Sequence, residues 1–231
     1  MKQLSYRYKP IGSIASLALA LGVTEKELED TAKNARNYYK PNKPIIKPNG
    51  KTRQTYRVIE PLHKIQDGIL EKIVSGVDFP EYLQGSIKDV ELPRDYIRDA
   101  VIHAANNILL KEDISRFFSS TRRELVKKMW KFFFRFPENV AEVLTQLTTY
   151  NDFVPEGAST SPAVANLVFW KHEPSLEYEL RQKGYIEGWT SQEWFRAGVG
   201  LDPKKRNQSI DWFRSGLKGR TVLLAQTVEE A

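Results

Sequence analysis

Three prolines within eight positions, Pro41, Pro44 and Pro48, followed at once by Asn49-Gly50, exclude helix from the middle of the most basic stretch of the chain. Proline lacks the amide hydrogen a helix needs, and its ring clashes with the preceding turn. Asn-Gly favours the tight turn of a hairpin. The segment therefore reads as a hairpin whose second arm is Thr52 to Ile59. Residues 31 to 59 carry eight Lys/Arg (Lys33, Arg36, Lys40, Lys43, Lys47, Lys51, Arg53, Arg57) and no acid, whereas the rest of the chain holds 27 basic and 29 acidic residues. The whole net charge of +6 is thus concentrated in one segment, which also carries Tyr38, Tyr39 and Tyr56. Cations interleaved with aromatics suit a polyphosphate partner with stacking bases. A solvated basic face explains the composition equally well.

The remaining chain is mixed. Its 231 residues are 41% hydrophobic, enough to bury a core as one domain or two small ones. The absence of cysteine removes disulfides, thiol nucleophiles and Cys-based zinc sites, and is compatible with a reducing cytoplasm. The apolar run Ile11 to Val23 is broken by Gly12, Ser13, Ser16 and Gly22 and falls short of the ~20 residues that cross a bilayer. It follows Lys2, Arg7 and Lys9, the layout of a short signal peptide, yet reads better as an amphipathic cytosolic helix. Ser13 to Leu21 and Glu25 to Tyr38 read as two helices, with Thr24 and Glu27 as a capping box. Leu62, Ile65, Ile69 and Ile73 recur at helical spacing after Pro61. Further helices are expected at Asp95 to Asn106, Thr121 to Phe134 and Pro137 to Leu147. Ile108 to Ile114 reads as a buried strand. Arg122, Arg123, Lys127, Lys128, Lys131 and Arg135 alternate with apolar residues, as one face of an amphipathic helix does. His103 reads as structural, and His63 and His172 have no partners at metal-ligand spacing.

Two places carry chemistry. In Lys111-Glu112-Asp113-Ile114-Ser115-Arg116-Phe117-Phe118, an acid at a strand end precedes paired aromatics. Such a carboxylate can coordinate Mg²⁺, and a neighbouring aromatic can floor a nucleotide pocket; alone, it is also a common way for a strand to end. In Val154-Pro155-Glu156-Gly157-Ala158-Ser159-Thr160-Ser161-Pro162, small residues and a glycine permit close backbone approach ahead of a helix from about Ala163 that Pro174 bends or ends. Alone, it is a well-made helix start.

Together, in this order and about forty residues apart, the two motifs resemble those of the retron and group II intron-like bacterial reverse transcriptases. That family has an Asp-Ile-x-x-Phe-Phe motif and a Pro-Gln-Gly-x-x-x-Ser-Pro loop leading to Ala-Asn-Leu, here Ala165-Asn166-Leu167. Lys47-Pro48-Asn49-Gly50-Lys51-Thr52-Arg53 resembles its basic fingers hairpin, Pro61, Leu62, Ile65 and Gln66 its following helix, and Gly85-Ser86-Ile87 with Ala100 to His103 the segment before its catalytic strand. The resemblance spans roughly residues 30 to 186. It implies RNA-directed DNA polymerase activity, Mg²⁺ as cofactor, an RNA template, a DNA or RNA primer and deoxynucleoside triphosphates. Asp113 would be catalytic and, with the Ile114 carbonyl, a metal ligand. Phe118 would crowd the sugar 2′-position. Lys47, Arg53, Ile114, Phe118, Glu156 and Gly157 would form the nucleotide site, and Lys40, Lys43, Lys51 and Arg57 would contact nucleic acid.

Three departures matter. Glu156 stands where the family has Gln, replacing an amide with a carboxylate that repels phosphate, and Ser159 stands where Pro is usual. The Tyr-x-Asp-Asp hairpin expected after Tyr185 is missing, and no Asp-Asp occurs anywhere. A truncated or frame-shifted member is expected, with impaired synthesis because one carboxylate cannot hold a metal pair. If the palm sheet depends on that hairpin, its central strand is left without a ladder partner. The expected fold is α/β (α+β), an incomplete right-hand polymerase: a helical N-terminal cap over 1–40, fingers and partial palm over 41–187, a divergent basic tail over 188–231, and no recognisable thumb. A second reading is a catalytically inactive RNA/DNA-binding module of a retron-like phage-defence system with a partner protein, cytoplasmic and without membrane contact. A third takes Leu17 to Thr24 with Leu28 as a helix-turn-helix of a DNA-binding regulator.

Overall fold

The computed structural model describes residues 3–46, 50, 52–88, 94, 108–112, 116–182, 185–190, 193–199 and 222–223. The chain is mixed, helices with several small antiparallel sheets, and divides into two compact units.

The first unit comprises residues 3–79 and 116–170. Strand β1 (Ser5–Tyr6) leads to α1 (Ile14–Leu21), which Ser13 caps by accepting the Ser16 amide at 3.1 Å and Gly22 ends at φ 67°. Thr24 caps α2 (Glu25–Lys33) by accepting the Glu27 amide at 3.1 Å. The expected helix to Tyr38 stops earlier. The Asn34 side chain donates to the Asp30 carbonyl at 2.8 Å, and Ala35–Tyr38 tightens into a 3₁₀ turn that delivers the chain to the hairpin. That hairpin consists of two short ladders, β2 (Tyr39–Pro41) with β5 (Tyr56–Val58) and β3 (Ile45–Ile46) with β4 (Thr52–Arg53). Between them three residues, 42–44, face two, 54–55, so the second ladder is offset by one residue from the first. Asn42 bridges the break through its amide to the Thr55 carbonyl at 2.9 Å. The arm expected to run from Thr52 to Ile59 is thus divided.

Helix α3 (Leu62–Lys72) buries Leu62, Ile65, Gln66 and Ile69 and packs against α1, α2 and the later helix Glu138–Thr148. Strand β6 (Val77–Asp78) returns to pair with β1. The chain re-enters the unit with α4 (Phe117–Ser120) and α5 (Arg123–Lys128), which continues into a π turn at Met129–Phe133. That wider turn gathers Trp130, Phe134 and Phe136, all nearly fully buried, around Tyr6. Helix α6 (Glu138–Thr148) starts after Pro137, and α7 (Ser161–Leu167) carries Pro162 in its first turn. It ends at Leu167, well before Pro174.

The second unit comprises 80–115 and 171–231. Its α8 (Glu173–Gln182) accepts Pro174 in the first turn, where no amide hydrogen is needed. Its sheet has the order β10 (Val222–Leu223), β7 (Ile108–Glu112), β9 (Glu193–Val199), β8 (Tyr185–Thr190). Strand β7 therefore has a neighbour on each side, contrary to the expectation that it lacks a ladder partner. Tyr185, Trp189, Trp194 and Phe195 are strong strand formers and build a hairpin without the missing motif. The helix expected at Asp95 to Asn106, with His103, lies outside the described residues.

Candidate nucleotide and nucleic-acid site

Alternation along the hairpin decides which side chains face outward. On β2, Tyr39 is buried and Lys40 exposed; on β5, Val58 is buried and Arg57 exposed. The register places Lys40 directly opposite Arg57. Two like charges in that position repel each other, and neither has a counter-ion among the described residues. Lys43 is likewise exposed and without a counter-ion among the described residues, beside Ile45 and Ile46, which are 51% and 77% exposed.

Arg53 is different. Its Nε donates to Glu156 Oε1 at 2.7 Å, and its terminal nitrogen makes a second contact with the same oxygen. The hydrogen bond to Glu156 raises the guanidinium pKa further still. This contact fastens the hairpin to the loop 154–160. Two more fasten it independently: the Tyr56 amide donates to the Glu156 carbonyl at 2.8 Å, and Gly157, at φ +103°, passes so close that a Cβ would lie 2.7 Å from the Tyr56 carbonyl oxygen. Glycine is needed there on both counts. Ser161 Oγ donates to the Pro155 carbonyl at 2.5 Å and closes the loop.

Behind the loop lies a buried polar relay. Gln66 Nε2 donates to the Tyr39 hydroxyl at 2.7 Å and to the Leu147 carbonyl at 2.8 Å, while its Oε1 accepts from Ser159 Oγ at 3.4 Å. The Tyr39 hydroxyl donates to the Leu147 carbonyl at 3.1 Å. Burial pushes the Tyr39 pKa well above the usual tyrosine range. Tyr56 lies against Tyr150, ring centroids 4.7 Å apart; burial, then Tyr150, raises its pKa. Tyr39 and Tyr56, the aromatics interleaved with the basic residues, secure the hairpin's inner face. The period-two pattern Tyr39-Lys40 and Arg57-Val58 carried that signal. Gln66 is the buried polar residue whose contacts the sequence least revealed, because its partners are 27 and 81 positions away.

Phe118 is half-buried, its ring edge-on to Phe117 at 5.4 Å. Asp113, Ile114, Lys47 and Lys51 lie outside the described residues, and β7 is described to Glu112, one position before Asp113. Among the described residues no three His, Asp or Glu side chains come together as a metal site. His63 Nδ1 lies 3.4 Å from Asp67 and 3.6 Å from Glu60 on an exposed helix face. The helix-turn-helix reading meets an electrostatic objection, since its second helix, α2, carries Glu25, Glu27, Glu29 and Asp30 against two lysines. No described helix is long and apolar enough to cross a membrane.

No family model matches the chain. It is 32% identical to the retron Se72 reverse transcriptase of Salmonella heidelberg (strain 579083-10) over 184 residues, which are 80% of this chain and 48% of that protein. It is 30% identical to the retron Ec48 reverse transcriptase of Escherichia coli over 192 residues, 80% of this chain and 47% of the relative. The retron Ec86 reverse transcriptase of Escherichia coli is 25% identical over 141 residues, 60% of this chain and 42% of the relative. The chain spans about half the length of these curated relatives.

Proposed function

We propose that this retron reverse-transcriptase-like chain, homologous to those proteins over four-fifths of its length, holds an RNA template and a nucleoside triphosphate at the hairpin 39–58 and the loop 154–160. The activity is RNA-directed DNA synthesis, in the cytoplasm, on the fingers and partial palm of a right-hand polymerase. One observation carries the reading: Lys40 and Arg57 stand opposite each other without counter-ions among the described residues, on a hairpin fastened to the loop by Arg53, Tyr56 and Gly157. A phosphodiester backbone supplies the negative charge that this arrangement lacks.

Magnesium would be held by Asp113 and the Ile114 carbonyl. The family's aspartate pair is missing: the hairpin paired with β7, residues 185–199, carries Glu187 and Glu193 but no aspartate. Synthesis is therefore impaired, and the same hairpin favours the second reading, a nucleic-acid-binding module of a phage-defence system that acts with a partner protein. Extension of a primed RNA template with Mg²⁺ and deoxynucleoside triphosphates, beside RNA binding over a salt series, separates the two. The expected result is RNA binding that weakens steeply with salt, unchanged in Asp113→Ala, with extension no greater than that of the variant. Extension abolished by Asp113→Ala overturns the impairment; binding indifferent to salt overturns the nucleic-acid site.

A further inference from the structure

Among the described hairpin cations, only Arg53 has an acidic partner, and that partner comes from the loop. Lys40, Lys43 and Arg57 have none among the described residues. We infer that Glu156 sets the anion affinity of the site by occupying the Arg53 guanidinium, so that a polyphosphate binds there only by displacing the carboxylate.

Three observations separate this role from simple fastening. The loop is already held to the hairpin by the Tyr56 amide on the Glu156 carbonyl and by the close passage at Gly157, neither of which involves the carboxylate. The ion pair is only partly buried, 37% of the Arg53 side chain and 23% of the Glu156 side chain being exposed, so water and ions reach it and it adds little to stability. Both Arg53 contacts go to one carboxylate oxygen, Oε1, so one displacement frees both donors. A phosphate is a better partner for a guanidinium than a single carboxylate oxygen, since it offers several acceptors to the fork. The carboxylate opposes it twice, by holding the donors and by repelling the incoming charge. A glutamine at 156 would still accept from Arg53 but lose the charge that does both.

This inference rests on the hairpin and loop being the triphosphate site. Its test is calorimetric titration of inorganic tripolyphosphate, at low salt, into the whole chain and into Glu156→Gln, Arg53→Gln and the double variant. Glu156→Gln is expected to tighten binding roughly three- to tenfold, the order expected when an exposed competing ion pair is removed. Arg53→Gln is expected to weaken it, and adding Glu156→Gln to Arg53→Gln to recover less than about twofold. Binding that depends on Arg53 but is unchanged or weakened in Glu156→Gln overturns the inference and leaves the site standing, as does an equal gain with and without Arg53. Binding absent throughout, or indifferent to Arg53→Gln, overturns the site itself and the inference with it. Thermal melting and exchange of the Tyr56 amide in Glu156→Gln, both expected to match the parent chain, show that the loop stays docked.

Discussion

Two basic stretches of the chain differ in how far their charge is met by neighbouring acids. Residues 31–59 carry eight Lys/Arg, and residues 122–135 carry six. In the second stretch four of the six are neutralised from close by: Arg122 by Asp152 at 3.2 Å, Arg123 by Glu142, Lys127 by Glu138 and Glu142 at 2.6 and 2.9 Å, and Lys131 by Glu138 at 2.7 Å. The acids Glu138 and Glu142 sit one turn apart on α6, which packs against α5, so the helical hairpin carries its own counter-ions. The β-hairpin has no acid within it, and of its described cations only Arg53 finds an acidic partner among the described residues, Glu156 of the loop 154–160. Composition alone does not tell a binding face from a solvated one; the source of the counter-charge does.

The largest effect expected from this comparison is on RNA affinity. Lys40→Ala with Arg57→Ala should weaken RNA binding roughly tenfold and lower the salt slope by about 1.4, at ~0.7 per single-strand phosphate contact. Lys127→Ala with Lys131→Ala should change binding less than about twofold, because those charges are already spent on Glu138 and Glu142. Lys128 and Arg135 are exposed and lack described ion-pair partners, so Lys128→Ala with Arg135→Ala is the variant that can break the comparison. A loss equal to that of the hairpin pair would make the helical stretch a second nucleic-acid face. Filter binding across 50 to 300 mM salt, a range of about this width, decides the matter.

Next in size is the fastening of the hairpin. Gly157→Ala puts a methyl 2.7 Å from the Tyr56 carbonyl and forces alanine into a left-handed backbone, so it should cost about 2 kcal/mol or more of stability, read by denaturant melts. It should also weaken RNA binding, since Lys40 and Arg57 are displayed by the ribbon that this loop supports. A Gly157→Ala chain that melts like the parent would show the loop free to move away, and the three-point fastening would be wrong.

What was legible in the sequence was local. Prolines with Asn-Gly forecast the hairpin, Ser13 and Thr24 the helix starts, and Leu62 to Ile73 the buried face of α3. What was not legible depended on partners far along the chain. Arg53 and Glu156 are 103 positions apart, and nothing local to either reveals that the carboxylate replacing the expected amide finds the hairpin's arginine. The role of Tyr39 and Tyr56 was left open for a related reason, since an aromatic in a basic segment looks exposed until alternation shows which face it occupies. The hairpin 185–199 was concealed differently. Its strand-forming residues were in view, but the missing Asp-Asp suggested a missing strand, although backbone pairing needs no aspartate.

The smallest effect sharpens the helical side of the comparison. Hydrogen bonds from Lys127, then Lys131, hold the Glu138 carboxyl down at about 2, well below its ordinary 4.5, while burial pushes Glu142 up and is outweighed by Lys127 and Arg123. A carboxylate whose pKa falls on folding stabilises the fold above its unfolded value and loses that contribution as pH drops towards its folded value. The Glu138 contribution should therefore be complete above about pH 5 and fade between 4.5 and about 2. Because Glu138 is exposed, the effect should be small and should shrink in 1 M salt, where the screening length is about 3 Å. Melting curves of the parent chain and Glu138→Gln should differ modestly at pH 6 and converge by about pH 2. Curves that stay apart at acid pH, or ignore salt, would mean that Glu138 acts through packing, and the helical stretch would no longer be the self-neutralised counterpart of the hairpin.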